Sequence, residues 1–191
     1  MKKVILTVIS ITISLVSFAT PPTTIEYNSL LFQAAKQGNS QTVKALLEKG
    51  ANPDAQSISN EKFNLDGFLK TTQSKSTPLM LAAYTGRLEI VATFLNVKVN
   101  VNAQDSEGQT ALTYAILGDH NWPHAPLPAT RKKVIELLLN AGANPHLQDN
   151  NGLDAAYYYS CVAGLIPGFN ETFEKDQTAA SEDSIYKRMK N

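Results

Sequence analysis

Few residues have types and spacing that could support chemistry, and the clearest pair is His120 and His124. Two histidines four residues apart lie on one side of a helix, where both imidazoles could bind a transition metal. Pro123 and the neighbouring prolines oppose a helix here, and the segment after Asp119 supplies no carboxylate or cysteine as a further ligand. We therefore predict no metal site and no cofactor, and His120 and His124 are kept as the candidates of a metal-binding alternative.

The remaining reactive groups do not form a catalytic pattern. Cys161 is the single cysteine and follows three tyrosines in a predicted helix, so we expect a small buried apolar side chain. Glu182 and Asp183 follow Ser181 in a polar stretch, where they favour the start of a helix over acid-base chemistry. The sequence contains no phosphate-binding glycine loop after a strand, no nucleophile elbow and no HExxH motif. We predict that the chain is not an enzyme.

The composition is that of a globular protein without covalent or metal cross-links. The chain has 191 residues, 43% of them hydrophobic, and its 17 Lys and Arg balance 17 Asp and Glu. This balance disfavours nucleic acid as a partner, because such binders usually carry a basic patch. One cysteine allows neither an intramolecular disulfide nor a structural zinc site, so the fold must depend on packing.

Residues 1–19 have the pattern of a signal peptide. Lys2 and Lys3 precede an apolar run over residues 4–16, and Ser-Phe-Ala ends at Ala19 as a small-residue cleavage signal. The run is shorter than the roughly 20 residues that a membrane-spanning helix needs. We expect cleavage before Thr20, export to the periplasm or the medium, and no integral membrane segment afterwards. An uncleaved anchor is the alternative.

Three landmarks recur along the chain in one register. The Thr-Pro-Leu motif that starts at Thr77 returns 33 residues later as Thr-Ala-Leu at Thr110. The same frame aligns an apolar-Ala-Ala segment, an apolar stripe at three- and four-residue steps, and an extended Asn-rich segment. The aligned segments are residues 31–35 with 79–83, 43–47 with 91–95 and 135–139, and 50–54 with 98–102 and 142–146. A spacing of 33 residues indicates a helical repeat.

From these motifs the chain resembles the ankyrin-repeat family. The resemblance implies an all-α solenoid of helix-turn-helix units joined by extended, hairpin-like loops, with three full repeats and a truncated C-terminal repeat. The expected units are residues 28–56, 76–105, 106–149 and 150–164. A lead-in over residues 20–27 precedes them, and a C-terminal cap or tail over residues 165–191 follows them.

Local signals support this arrangement and locate two insertions. Thr77 and Pro78 predict a capped helix start, and Gly50 and Gly142 predict left-handed helix ends, where Lys98 is the exception. The spacing exceeds the period twice, which places insertions at about residues 57–75 and 119–129. Insertions in repeat proteins fall in loops and often serve function.

The resemblance implies a non-catalytic module that binds another protein through its groove and loops. We expect this module to be a monomer. Its candidate contact residues are Tyr84, Thr85, Ser106, Glu107, Gln109 and Leu117, together with Phe68 and Trp122 in the insertions. Trp122 could instead pack onto its own repeat. Two alternatives stay open: a small-ligand or metal-binding envelope protein that uses the loop at 119–129, and a secreted effector that acts on host proteins.

Overall fold

The described chain is built from α-helices. A computed structural model describes residues 23–57, 75–118 and 128–162, together with Ile185, Arg188 and Met189. In these parts it contains no strand. The helices are α1 (Thr24–Gln37), α2 (Ser40–Glu48), α3 (Pro78–Tyr84), α4 (Leu88–Asn96), α5 (Ala111–Leu117), α6 (Ala129–Asn140) and α7 (Ala155–Val162).

The first helices of the units begin where the sequence predicts. The Thr77 hydroxyl accepts a hydrogen bond from the Met80 N–H at 3.3 Å, and Pro78 is the first residue of α3. The Thr110 hydroxyl accepts in the same way from the Thr113 N–H at the start of α5. Each hydroxyl satisfies a backbone donor that has no partner inside the helix, and proline supplies a helical φ where no donor is needed.

The second helices of the units end in a left-handed residue. Gly50 and Gly142 follow α2 and α6 with φ of 87° and 88°. Lys98 occupies the equivalent position after α4 with φ of 58°, so the same turn forms there without glycine. The turn sends the chain into the extended loop that leads to the next unit.

The helices stack in two layers, which confirms the predicted all-α repeat solenoid. The first helices α1, α3, α5 and α7 pack side by side, and α2, α4 and α6 form the second layer. Alanine recurs where the first helices approach one another, as at Ala35, Ala83 and Ala115, each with no exposed surface. Because each apolar stripe is covered by the neighbouring units, one continuous core runs through the stack.

The loops between units close as hairpins. The Asp105 N–H donates to the Gln109 carbonyl at 3.0 Å, and the Asp149 N–H donates to the Leu153 carbonyl at 2.9 Å. The equivalent bond in the first loop joins the Ser57 N–H to the Ser76 carbonyl at 2.9 Å. Residues 58–74, between these two positions in the sequence, lie outside the described chain.

Both ends of the stack differ from its interior. Helix α1 exposes the polar residues Glu26, Ser29, Gln33 and Lys36 together with the apolar residues Ile25 and Leu30. At the other end Ile185 and Met189 are buried in the core. No described helix has the length and hydrophobicity that crossing a bilayer requires.

Candidate interaction surface

Asparagine and aspartate side chains tie each extended loop to the next. The Asn100 N–H donates to Asp54 Oδ1 at 2.9 Å, and the Asn144 N–H donates to Asn102 Oδ1 at 2.8 Å. Within each loop the first Asn also accepts a hydrogen bond two residues ahead, for example from the Asn102 N–H to Asn100 Oδ1 at 3.1 Å. These bonds fix the register between units.

Asp105 organises the hairpin of the third unit. Its Oδ1 accepts from the backbone N–H groups of Glu107 and Gln109 at 2.9 and 2.8 Å. Its Oδ2 accepts from the Tyr114 hydroxyl on α5 at 2.8 Å. One buried carboxylate therefore holds both the hairpin backbone and a side chain of the helix that follows it.

Asp149 repeats this arrangement in the fourth unit. Its Oδ1 accepts from the N–H groups of Asn151 and Leu153, and its Oδ2 accepts from the Tyr158 hydroxyl on α7 at 2.6 Å. Gln109 adds a link between units, because its Nε2 donates to Asp149 Oδ2 at 2.7 Å. The two hairpins are thereby fixed to each other.

The two carboxyl groups differ in how their environment affects protonation. Burial raises the pKa of Asp105, and the hydrogen bonds from Tyr114, Gln109 and Glu107 only partly oppose it. Burial also acts to raise the pKa of Asp149, but hydrogen bonds from Tyr158 and from backbone N–H groups outweigh it, so that pKa is lowered. Burial and the bond to Asp149 raise the pKa of the Tyr158 phenol.

Arg131 on α6 holds the C-terminal ends of two first helices. Its Nη1 donates to the carbonyls of Tyr84 and Ala115 at 2.8 and 3.2 Å, and to that of Ala83 at 3.4 Å. The side chain is buried, and Gly118 is so close to it that a Cβ there would overlap the guanidinium. A cation at this place complements the negative ends of both helices.

Tyr84 and Leu117 are the last residues of α3 and α5, and both are half-buried. The Tyr84 ring meets the Tyr114 ring edge to face, with centroids 6.3 Å apart. Because the Tyr114 hydroxyl bonds Asp105, Tyr114 connects the helix ends to the third hairpin. We call the half-buried set of Tyr84, Thr85, Ser106, Glu107 and Leu117 the groove face.

One predicted contact residue does not belong to this set. Gln109 is only 2% exposed, since the fourth hairpin covers it and its amide is bonded to Asp149. The prediction that Gln109 contacts a partner is therefore wrong, and its place in the structure is to join two hairpins. Among the others, the half-buried Thr85 donates its hydroxyl to the Leu81 carbonyl at 2.9 Å.

The other predicted residues separate into two groups. Phe68, His120, Trp122 and His124 lie outside the described residues. Cys161 is buried, as predicted, and burial raises the pKa of its thiol, which disfavours the reactive thiolate. In the described ranges no three acidic, histidine or cysteine side chains are grouped as metal ligands.

Sequence reasoning missed the residues that position the groove face, namely Asp105, Tyr114 and Arg131. A signal was present for the first two, because Asp and Tyr recur nine residues apart as Asp149 and Tyr158. Arg131 has no such signal. Its role depends on the approach of two helices that precede it by many residues.

Two family descriptions match the chain. The description "Ankyrin repeats (3 copies)" matches residues 31–122, and "Ankyrin repeat" matches residues 107–150. Together they cover most of the chain. The chain belongs to the ankyrin-repeat family. Ankyrin repeats are in general protein-interaction modules, and repeats of this kind are typically non-catalytic.

The similar curated proteins are ankyrin-repeat proteins of diverse origin. The chain is 33% identical over 126 residues to the ankyrin repeat and SAM domain-containing protein 6 of Rattus norvegicus. The aligned region covers 65% of this chain and 11% of that protein. It is 28% identical over 130 residues to a putative ankyrin repeat-containing protein of Treponema pallidum, which covers 68% of this chain and 35% of the relative. Another relative is the glycerophosphocholine phosphodiesterase gde1 of Schizosaccharomyces pombe, 34% identical over 47% of this chain and 7% of that protein. The chain thus spans only a small part of these relatives.

Proposed function

We propose that this ankyrin-repeat chain is an exported, non-catalytic module that binds a partner protein through the groove face. The observation that carries the proposal is the position of Tyr114. Its hydroxyl donates to Asp105 in the hairpin, and its ring packs against Tyr84 at the end of α3. The loop and helix parts of the groove face are therefore held as one surface.

The chemistry of the groove face suits a protein partner. Tyr84 offers an aromatic ring and Leu117 an aliphatic side chain, both half-exposed, and tyrosine is among the residues that anchor interfaces. Arg131 holds the backbone beneath both residues through hydrogen bonds to Tyr84 and Ala115. A surface that is already ordered loses less conformational entropy on association, so a small apolar patch can contribute more to affinity.

Binding is tested by cross-linked capture with the tagged chain from Thr20 as bait. The Tyr84→Ala/Leu117→Ser variant removes both apolar contacts of the groove face. Val97→Ser is the matched control, because Val97 is an exposed apolar residue at the end of α4 in the other helix layer. We expect one captured protein to be lost with the double variant and retained with the control. Capture that both variants leave unchanged contradicts the proposed surface.

Export is the second part of the proposal and rests on the sequence of residues 1–19. Its test is mass spectrometry of the protein that accumulates in the source cell after fractionation. We expect an N-terminus at Thr20 and recovery from the envelope or the culture fluid. Protein that retains Met1–Lys3 in the soluble cell interior contradicts export and leaves the binding surface as a separate question.

A further inference from the structure

Positive charge collects where the first helix of each unit turns into the second. The described residues around these turns are 36–44, 84–91, 117–118 and 128–134. Their cations are Lys36, Lys44, Arg87, Arg131, Lys132 and Lys133, and within these ranges Glu89 is the single acidic residue. Lys44 already pairs with it, since the Lys44 Nζ lies 3.2 Å from Glu89 Oε1. The described turns therefore carry an excess of positive charge.

Arg87 and Arg131 occupy the same position in successive units. The aligned apolar residues Val91 and Ile135 follow them by four positions. Arg131 is buried, and its guanidinium donates to backbone carbonyls near the ends of α3 and α5. Arg87 is exposed, and within the described ranges its guanidinium has no hydrogen-bond or ion-pair partner. One repeat position thus supplies a structural cation in the third unit and an available cation in the second.

Gly38, which follows α1, makes room for the Arg87 side chain. A Cβ at Gly38 would lie 2.8 Å from both Cζ and Nε of Arg87, which is too close for the two side chains to coexist without a shift. The guanidinium therefore lies against the turn of the first unit. Lys36 is exposed in the last turn of α1, two residues before Gly38. Exposed cations from two different units thus lie at one turn.

The same edge continues at the start of α6. A Cβ at Gly86, the residue before Arg87, would lie 4.0 Å from Nη2 of Arg131. The first turn of α6 therefore lies beside the turn of the second unit, and it continues with half-buried Lys132 and exposed Lys133. We call Lys36, Arg87, Lys132 and Lys133 the turn edge.

The hairpin side of the stack carries the opposite charge. Its described residues are 54–57, 75–76, 104–109 and 148–154. In these ranges the acidic residues are Asp54, Asp105, Glu107, Asp149 and Asp154, and Lys75 is the single cation. The groove face extends from Thr85, two residues before Arg87, to Glu107 in the third hairpin. It therefore joins a cationic side of the stack to an acidic side.

We propose that the turn edge binds acidic side chains of the partner protein, an inference that rests on the groove face as the partner's binding surface. An arginine guanidinium pairs with a carboxylate through two parallel hydrogen bonds, and arginine is among the residues that dominate binding energy at interfaces. Arg87 is available for such a pair, because it is exposed and Gly38 gives it room at the turn. The acidic hairpins repel the same carboxylates, so the partner binds with its acidic part over Arg87.

The surroundings of the turn edge suit a protein better than a nucleic acid. A nucleic acid carries a charge at every phosphate and binds a continuous basic patch. Here the groove face leads from the turn edge to the hairpin of Asp105 and Glu107, whose charge opposes a phosphate backbone. Tyr84 and Leu117 offer half-exposed apolar groups beside the turn edge. A protein segment that combines carboxylates with apolar side chains complements both features.

The test measures binding of a fluorescein-labelled oligoglutamate peptide to the full chain by fluorescence anisotropy at low salt. Arg87→Glu should weaken binding at least about tenfold, because it replaces an attraction by a repulsion. Arg87→Lys keeps the charge without the forked donors and should bind with intermediate affinity. Added salt should weaken binding to the wild type, since the turn edge is exposed to solvent.

Lys49→Glu is the matched control. It changes the net charge of the chain as much as Arg87→Glu does, but Lys49 is exposed at the other end of α2. Its affinity for the peptide should stay close to that of the wild type, and circular dichroism verifies that each variant is folded. Equal losses in the two variants would show that only net charge matters and would overturn the proposal, as would a wild-type chain that does not bind the peptide. An oligo-dT strand that binds as tightly, with the same dependence on Arg87, would reassign the turn edge to nucleic acid and would also overturn it.

The two proposals can fail separately. In the capture experiment Arg87→Glu should lose the same protein that Tyr84→Ala/Leu117→Ser loses. Capture that survives Arg87→Glu but not the double variant overturns the acidic partner and leaves the groove face in place. Capture that neither variant changes, beside peptide binding that depends on Arg87, supports the turn edge and contradicts the groove face.

Discussion

Lys98 holds a backbone conformation that favours glycine. Its φ is 58°, whereas the equivalent residues in the other units are Gly50 and Gly142. Lys98→Gly removes the clash between Cβ and the backbone, which stabilises the folded chain, but it also increases the conformational entropy of the unfolded chain. Because the first effect is larger, we expect a net gain of about 0.5 kcal/mol in the free energy of unfolding. Urea denaturation measures this gain. Lys49→Gly is the control, because Lys49 has φ of −81° and carries no such strain, and an equal gain there would contradict the argument.

Gly118 and Gly142 differ in what an added Cβ would meet. Both have positive φ, and a Cβ at Gly142 meets nothing within 4 Å. Gly118 has ψ of −169°, a conformation that other residues rarely adopt, and a Cβ there also overlaps the Arg131 guanidinium. Gly142→Ala should therefore cost about 1 kcal/mol, and Gly118→Ala about 1–3 kcal/mol more. Thermal unfolding of both variants gives the comparison. Equal losses would mean that neither the backbone conformation of Gly118 nor the overlap with Arg131 adds a cost to the substitution.

Arg131 itself is tested by Arg131→Met, which keeps an apolar stem and removes the donors. The carbonyls at the ends of α3 and α5 then lose a buried charged partner, so we expect a loss of about 2–3 kcal/mol. Lys133→Met on the same helix is the control, because Lys133 is exposed and its loss should change stability little. Chemical denaturation measures both variants, and equal stability of the two would remove Arg131 from the set that positions the groove face.

At the scale of elements, the two hairpin carboxylates should respond to acid in opposite ways. The pKa of Asp105 is raised in the folded state, so the folded chain gains stability as the pH falls from that pKa towards the unfolded value of 3.8. The pKa of Asp149 is lowered, so its stabilisation is complete above the unfolded value and is lost as the pH falls towards the folded pKa. The same chemical motif thus has opposite linkage in adjacent units.

The variants Asp105→Asn and Asp149→Asn test this difference. As the pH falls from 7 to 4, the free energy of unfolding of the wild type should rise relative to that of Asp105→Asn. Only the wild type has a carboxylate at position 105 that takes up a proton on folding in this range. Its advantage over Asp149→Asn should instead shrink below pH 4. Urea denaturation across pH 3–7 measures both trends. Parallel trends for the two variants would show that the hairpins do not differ in the burial of their carboxylates.

The elements themselves were predictable where the signal is local. Thr77 and Pro78 start α3, and Gly50 ends its unit's second helix, because a cap or a left-handed turn depends on a few adjacent residues. Gln109 shows where this reasoning stops. Because Gln109 is a polar residue beside a turn glycine, its sequence context predicts an exposed side chain. The fourth hairpin, which contributes Asp149, covers this side chain and makes it buried. Contacts between units carry no local signature.

The whole molecule holds together through contacts between neighbouring units. Each helix packs against its own unit and the adjacent ones, as the packing of α3 against α1, α4 and α5 illustrates. Stability in such a stack is a sum of unit and interface contributions, so damage should spread from the affected end instead of unfolding every unit equally. The length and register of the repeats made this architecture predictable from sequence. The sequence also predicts a cap or a tail over residues 165–191, and the described residues Ile185 and Met189 are buried in the core.

Two core substitutions at opposite ends test this picture. Tyr159→Ala in α7 and Leu31→Ala in α1 each remove a fully buried side chain, at a cost of about 3–5 and 2–5 kcal/mol respectively. By hydrogen exchange, Tyr159→Ala should speed amide exchange mainly in α5, α6 and α7, and Leu31→Ala mainly in α1, α2 and α3. The two profiles should mirror each other, because each interface transmits the loss only to its neighbour. Uniform acceleration along the described helices in both variants would mean that the stack unfolds as a single cooperative unit.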